Sequence, residues 1–490
     1  MQNEKLEQLK NEWLVEVTID EIQEKLNNHE ITSRELVLMY LSRIAKIDQD
    51  GPKINSIIEV NPEALHIADS LDYERKTNGS RGPLHGIPVV IKDNIDTADK
   101  MHTSAGSLVL AESYAHEDAT LVKQMRDAGA IILGKTNLTE WANFIAEDMP
   151  TGYSSRGGQV LNPYGTDFIV GGSSAGSGAA IAANLAVVAV GTETSGSILS
   201  PASQNSLVGI KPTVGLISRK GIIPISHTQD TAGPMTRTVK DAAILLNVLT
   251  AKDPKDPITL TNELADIDFT NHLVKDGLKG KKIGIARETY FDELNESQLT
   301  VMNNAINKLK ELGVEVVDPI TIPSTNEEWD INVLLYEFKT DLNAYLKTID
   351  STVGVRTLTD VIKANEEIGE KALKFGQKLF LDANATSGNL IEPEYLESLE
   401  KDDTLSKIKG IDSVMQEQGL DAIVFPNNFG AMIPAKAGYP SITVPAGYTN
   451  DGEPVGITFT AKAYMEPTLL EIAYSYEQAT KHRVAPFQAK

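Results

Sequence analysis

One lysine and two serines stand where their types and spacing could carry acid–base and nucleophilic chemistry. Lys92 ends the apolar run Ile87-Pro88-Val89-Val90-Ile91. Ser173 lies in Gly171-Gly172-Ser173-Ser174-Ala175-Gly176-Ser177-Gly178, and Ser197 in Gly191-Thr192-Glu193-Thr194-Ser195-Gly196-Ser197-Ile198. A serine hydroxyl is a weak nucleophile at neutral pH and needs a base within reach. Histidine is the usual base, yet none of the eight histidines stands in a recognisable Ser-His-Asp context. Such triads assemble in space, so sequence order alone does not exclude one. His85, beside Gly86 at the start of a strand pattern, reads as a structural hydrogen-bonder. Lysine can replace histidine when burial disfavours the ammonium form and lowers its pKa. Taken alone, Lys92 could equally be a strand-end lysine snorkelling to solvent.

Each serine loop also has a plainer reading. The Gly171–Gly178 stretch could fold tightly and turn several N–H groups inward. No Gly-Lys-Ser/Thr follows it, which argues against a Walker-type phosphate loop. Gly172-Ser173-Ser174-Ala175-Gly176 formally matches G-x-S-x-G and would name Ser174 as nucleophile. Small-residue loops meet that pattern easily, and a simple glycine-rich turn meets it too. In the second loop, Thr194-Ser195-Gly196-Ser197 leaves successive backbone N–H groups free to face an oxyanion. No H-E-x-x-H or comparable ligand spacing occurs, so no metal is expected.

The elements that must hold these residues have an α/β pattern. Two capping boxes, Thr18-Ile19-Asp20-Glu21 and Thr32-Ser33-Arg34-Glu35, open helices near the N-terminus. After the second, Leu36, Tyr40, Leu41 and Ile44 recur at helical spacing. Ile87–Ile91, Ala130–Leu133 and Ala186–Val190 read as strands buried on both faces, as in parallel sheets. A helix is expected over Glu117–Ala128. Strands Lys282–Ala286 and Val314–Val317 flank a helix over Ser297–Leu312. Residues from about 325 to 415 are helical and charged, and strands return at Ala422–Phe425, Ser441–Pro445 and Val455–Thr460. The expected organisation is a helical region 1–75, a core 76–320, a helical insertion 321–415 and a return to the same core over 416–490.

Composition bounds the partners. Of 490 residues 41% are apolar, enough for a large core, and the net charge is −23. Such a field repels nucleic acid and anionic membrane surfaces, so neither is expected as a partner. The chain has no cysteine, which rules out disulfides, thiolate catalysis and zinc–thiolate sites. Met1-Gln2-Asn3-Glu4-Lys5 does not begin a leader pattern, and no apolar run reaches about 18 residues. A cytoplasmic location is the expectation.

Together these segments resemble the amidase signature family, whose motif joins a Gly-Gly-Ser-Ser run, a small-residue spacer and an acidic-x-Gly-Gly-Ser-Ile segment to an upstream strand-end lysine. The likeness covers most of the chain. It includes Gly86–Asp93, Gly134-Lys135-Thr136-Asn137-Leu138, Gly209-Ile210-Lys211-Pro212-Thr213 and Asp230–Met235. It continues to Ala437-Gly438-Tyr439-Pro440 and Pro454-Val455-Gly456-Ile457. The resemblance implies one large α/β fold with a central mixed sheet covered by helices on both faces. It carries the family's catalytic trio onto Lys92, Ser173 and Ser197, with the middle serine at a cis peptide bond. By the same resemblance, backbone N–H groups of Thr194, Ser195, Gly196 and Ser197 would hold the oxyanion, and no cofactor is needed.

Three residues depart from the family pattern: Ser195 replaces a glycine, Leu199 an arginine, and Ala175 a glycine or serine. The text around Glu140-Trp141-Ala142-Asn143-Phe144, Ser155–Gln159 and Gly191–Thr194 looks closest to bacterial peptide amidases. That likeness offers Trp141 and Asn143 as substrate contacts, while composition alone would bury Trp141 in the core. The implied function is a serine amidohydrolase acting on a small-molecule or peptide amide. Alternatives are a lactam or aryl-amide hydrolase of the same family, the glutaminase component of a tRNA-dependent amidotransferase, and a non-catalytic binding protein. Oligomeric state is left open.

Overall fold

The computed structural model describes residues 3–486, so Met1 and Gln2 at the start of the stretch read for a leader lie outside the described residues. Its strands are β1 (Ile57–Val60), β2 (Pro88–Lys92), β3 (Ile131–Thr136), β4 (Tyr153–Ser154), β5 (Gly158–Gln159), β6 (Val188–Glu193) and β7 (Val208–Lys211). They continue with β8 (Thr231–Thr236), β9 (Lys282–Ala286), β10 (Glu315–Ile320), β11 (Ala422–Pro426), β12 (Ser441–Tyr448) and β13 (Pro454–Thr460). Eleven of them form one sheet in the order β1-β3-β2-β6-β8-β7-β12-β13-β11-β9-β10, and β4 and β5 pair separately. β2 runs parallel to β3 and β6, while β8 is antiparallel to β6 and β7. The sheet is therefore mixed, and helices cover both its faces.

The strands foreseen from apolar runs are present. β1, β4, β5, β7 and β8 are additional. β7 and β8 contain Gly209, Gly233 and Pro234, residues that depress strand propensity, yet both are buried within the sheet. Here packing overrides local preference. Both capping boxes form: the Thr18 and Thr32 hydroxyls accept the Glu21 and Glu35 N–H groups, and each glutamate reaches back. The helix expected over Glu117–Ala128 is the shorter Thr120–Asp127. Between Ile320 and Ala422 there is no strand among the described residues, only helical elements such as Asn332–Leu346, Leu358–Ile368, Lys378–Ala385 and Pro393–Asp403. Among the described residues no helix is long and apolar enough to cross a membrane.

Two apolar clusters organise the packing. The larger runs along the sheet from Leu6 to Tyr476. The smaller joins Leu138, Trp141, Phe144 and Ile223 to Phe338, Leu342 and Phe380 of the inserted helices. These helices are thus fastened to segments that follow β2 and β3 and to the segment that precedes β8.

The site's position follows from strand direction. In parallel register Ile91 of β2 lies opposite Val190 of β6, which brings Lys92 and Thr192 to the same sheet edge. β8 runs back from that edge, with Thr231 opposite Glu193, so Asp230 arrives there as well. Helix Ala175–Ala182 crosses next to β2 and β6. It can approach because Gly176 has no Cβ: one would overlap the carbonyl oxygens of Asn137 and Ser56.

Candidate active site

Lys92 is fully buried, and its Nζ has three close oxygen neighbours. They are Ser173 Oγ at 2.7 Å, Thr192 Oγ1 at 2.9 Å and the Thr192 carbonyl oxygen at 3.2 Å. Desolvation lowers its pKa to about 7, against an opposing pull from the Asp230 and Glu193 charges. An appreciable fraction is therefore neutral near pH 7. A neutral amine has two N–H donors and one lone pair. With both N–H groups turned to Thr192, the lone pair is left for the Ser173 hydroxyl. Asn94 Nδ2 also donates to Thr192 Oγ1, at 3.0 Å, and so braces that threonine from a third side.

The Gly172–Ser173 peptide bond is cis, as the family resemblance implied. The Ser174 N–H donates to the Ser197 carbonyl at 3.1 Å and joins the two serine loops. Ser197 is 8% exposed, whereas Lys92 and Ser174 are wholly buried. Its loop is shaped by Glu193, whose carboxylate accepts the Gly196 N–H at 2.6 Å, the Ile198 N–H at 2.7 Å and the Leu199 N–H at 3.0 Å. Hydrogen bonds to a charged group contribute about 1.5–3 kcal/mol each, so this bracket on either side of Ser197 is strong. Burial raises the Glu193 pKa, with Lys211 and the three N–H groups opposing. Asp230 accepts the Thr194 hydroxyl at 2.5 Å and the Ile225 and Ser226 N–H groups at 2.7 and 2.9 Å, and desolvation lifts its pKa to about 6.

Several expectations take a different form in three dimensions. The Ser174 hydroxyl is occupied by the Thr192 backbone, donating to its carbonyl at 3.0 Å and accepting its N–H at 3.2 Å. That geometry makes Ser174 a structural tie and disfavours the G-x-S-x-G reading. The Gly196 N–H is taken by Glu193, so it is not a free oxyanion donor in this structure, unlike the sequence-based expectation. Ser195, where the family carries glycine, is exposed and has room for its side chain, and Leu199 is buried in the main core. Trp141 is 1% exposed and sits edge-on to Phe380, while Asn143 is exposed to solvent. Neither lines the cavity at the sheet edge; Ala142 between them does. The left-handed backbone of residues 141–143 turns the tryptophan inward and the alanine toward the cavity. His85 is indeed structural: its Nδ1 accepts the Arg81 N–H, which leaves Nε2 to donate to the Leu71 carbonyl. No histidine ring hydrogen-bonds a serine hydroxyl among the described residues.

A cavity of about 330 Å³ opens beside Thr192, Glu193 and Thr194. Its walls come from the Arg219–Thr231 stretch, Ala142 and the inserted helix Asn332–Leu346. His227 ties those walls together, with Nδ1 2.9 Å from Asp341 and Nε2 3.3 Å from Glu337. These three side chains also have metal-ligand types at metal-ligand separations. Their oxygens are already engaged: Glu337 accepts from Ser226, Thr228 and Tyr395, and Asp341 from His227. Glu193 is the acidic member of the Ser197 segment, Thr192 stands beside it and Asp230 opens the Asp230–Met235 segment, whereas His227 has no distinguishing local motif; none of these segments reports where the side chains meet. Only the pairing of β6 with β2 and β8, and the docking of the insertion, gives them their places.

Known proteins share this architecture. A family model described as Amidase matches residues 35–470. The crystal structure of the native peptide amidase from Stenotrophomonas maltophilia is 43% identical and superposes with a TM-score of 0.92, covering 97% of this chain and 99% of that one. A probable amidase of Arabidopsis thaliana is 43% identical over 96% of this chain and 91% of its own length. A glutamyl-tRNA(Gln) amidotransferase subunit from Thermoanaerobacter pseudethanolicus is 32% identical over 96% of this chain and 98% of its own. The chain belongs to the amidase family and is an amidase, a hydrolase of carbon–nitrogen bonds.

Proposed function

We propose that Ser197 is the nucleophile, Ser173 the proton relay and Lys92 the base of this amidase, and that its substrates are C-terminally amidated peptides. The observation that carries the catalytic assignment is the Lys92 Nζ–Ser173 Oγ contact of 2.7 Å at a buried lysine whose Nζ also lies 2.9 and 3.2 Å from the Thr192 oxygens. In the first half-reaction Ser197 Oγ attacks the amide carbonyl carbon, and its proton passes to Ser173 as the Ser173 proton passes to Lys92. The carbonyl oxygen gains negative charge and is held by the N–H groups of Thr194, Ser195 and Ser197. The relay then returns the proton to the leaving nitrogen, the C–N bond breaks, and ammonia departs from an acyl-enzyme. Water hydrolyses that ester by the same relay and frees a peptide carboxylate. Glu193 holds the Ser197 loop, and the buried setting keeps Lys92 partly neutral.

The peptide-amide reading draws on the extent of the likeness to the Stenotrophomonas enzyme, at nearly full coverage of both chains. A second reading, the glutaminase component of an amidotransferase, draws on the full-length likeness to the Thermoanaerobacter protein. Against it stand Ser195 and Leu199 in place of the glycine and arginine usual in the family. Incubation with a sulfonyl fluoride followed by peptide mapping tests the nucleophile: the label should sit on Ser197 and vanish in Ser197→Ala. A label on Ser174 would overturn the assignment. Release of ammonia from a panel of peptide amides, compared with free glutamine, separates the two readings of substrate.

A further inference from the structure

The cavity beside Thr192–Thr194 has a chemical character that narrows the substrate. Its inner wall is formed by Ile222, Ile223 and Ile225, each at most 8% exposed, with Pro224, Ala142 and Ala344 contributing further apolar surface. Charged side chains also border it, but the protein already satisfies them. Arg219 forks onto Asp256, at 2.9 and 2.6 Å, and donates its remaining nitrogen to the His227 carbonyl. His227 is turned to Asp341 and Glu337, and both oxygens of Asp230 are filled by Thr194, Ile225 and Ser226. At the mouth, Lys220 and Lys255 share Glu117. A carboxylate or ammonium placed against the isoleucines, away from the exposed Lys255, would have to displace one of those partners or remain unpaired, and both are unfavourable. An apolar group meets no such penalty and gains by leaving water.

The position supplies the second argument. The cavity adjoins Thr192, the residue that holds Lys92, and Thr194, which begins the Ser197 loop. When the group that leaves is ammonia, nothing bulky departs on the nitrogen side, so a cavity of about 330 Å³ has only the acyl part to receive. We propose that this cavity is the acyl-side subsite of the enzyme and that it selects an uncharged, apolar side chain on the residue bearing the carboxamide. Ala142 and Ala344, the small residues on its walls, set the size it admits. This inference rests on the peptide-amide reading given above.

The test is kcat/KM for N-acetylated leucine, phenylalanine, aspartate and lysine amides, with Ser197 labelling by a sulfonyl fluoride measured alongside. Leucine and phenylalanine amides should exceed the two charged ones by about 100-fold, the upper range of discrimination by an apolar pocket. Filling the cavity by Ala344→Phe, or from the other segment by Ala142→Leu, should lower the ratio of phenylalanine-amide to alanine-amide kcat/KM at least about 10-fold. A ratio is read because a misfolded variant would lose both substrates together. Equal kcat/KM across the four side chains, with labelling intact, overturns the subsite alone. Intact labelling with no hydrolysis of any peptide amide overturns the peptide-amide reading, and the subsite with it.

Discussion

The two halves of the site are built in opposite ways. The Lys92–Ser173–Ser197 side is anchored on the adjacent central strands β2 and β6, is almost wholly buried, and is held by short bonds to backbone and hydroxyl groups. The cavity side consists of the Arg219–Thr231 stretch and helix Asn332–Leu346, joined through the part-exposed His227 and its ion pairs with Glu337 and Asp341. Burial explains the difference. A lysine that is to accept a proton near neutral pH must be desolvated, and only the sheet interior excludes enough water. A wall that receives substrates of varied shape must remain near solvent, where ion pairs are weaker and more easily rearranged. Changes on the sheet side should therefore act on kcat and its pH dependence, and changes on the cavity side on KM and substrate preference.

The sharpest way to break that contrast is at the proposed nucleophile. Ser197→Ala should cut kcat/KM for a peptide amide by at least about 1,000-fold with the fold retained, as measured by ammonia release and circular dichroism. Ser174→Ala should keep sulfonyl-fluoride labelling and lose only about 1 kcal/mol of stability in denaturant titration, since its hydroxyl bonds just to the Thr192 backbone. Equal losses from the two variants would erase the distinction between nucleophile and tie.

The base comes next. If neutral Lys92 is required, kcat/KM should rise with pH through about 7 and level off above it. Lys92→Met should abolish that limb together with most of the activity, and near-normal turnover would exclude the relay. Thr192→Val sharpens the point. It removes a hydroxyl acceptor that favours the ammonium form, so the acid limb should move to lower pH while kcat falls about 10-fold for want of orientation. Thr192→Ser should restore both, a rescue that a purely structural role would not require.

The smallest effect is expected on the cavity side. The Asp341 hydrogen bond, helped by the Glu337 charge, raises the His227 pKa above its ordinary 6.5 despite partial burial. The stabilisation from this tie is complete below about pH 6.5 and is lost as pH climbs through the raised folded-state value. His227→Gln should therefore lower Tm more at pH 6 than at pH 9 and raise KM a few-fold with little change in kcat. A change confined to kcat would show that the wall and the relay are not separable in the way described.

Local chemistry in the sequence reaches different depths in the two regions. Apolar runs ending at Ile91 and Val190 mark the parallel strands, because strands buried on both faces leave a continuous hydrophobic signature. The capping boxes at Thr18 and Thr32 mark their helices for an equally local reason. β8 is hidden because Gly233 and Pro234 suppress its local signal, and with it the arrival of Asp230 at the site is hidden too. Trp141 and Asn143 are legible as neighbours of something important, but their orientation depends on three consecutive left-handed residues that no periodicity reports. His227 is one of eight histidines until helix Asn332–Leu346 docks against it.

The sequence by itself determined which residues could do chemistry: a lysine at the end of an apolar strand, two serines among glycines, and no thiol anywhere in the chain. These are properties of composition and short-range order; the resemblance of the segments that carry them to the amidase signature family is what points to an amidase. The tertiary structure alone decided that Lys92 Nζ lies within hydrogen-bond distance of both Thr192 oxygens and of Ser173 Oγ. It alone decided that Glu193 brackets Ser197, that Ser174 is occupied, and that Ala142 rather than Trp141 faces the cavity. The reason is physical. Desolvation, hydrogen-bond direction and cavity shape depend on strand register and on contacts between residues far apart in the chain, so none of them exists before the sheet and its inserted helices come together.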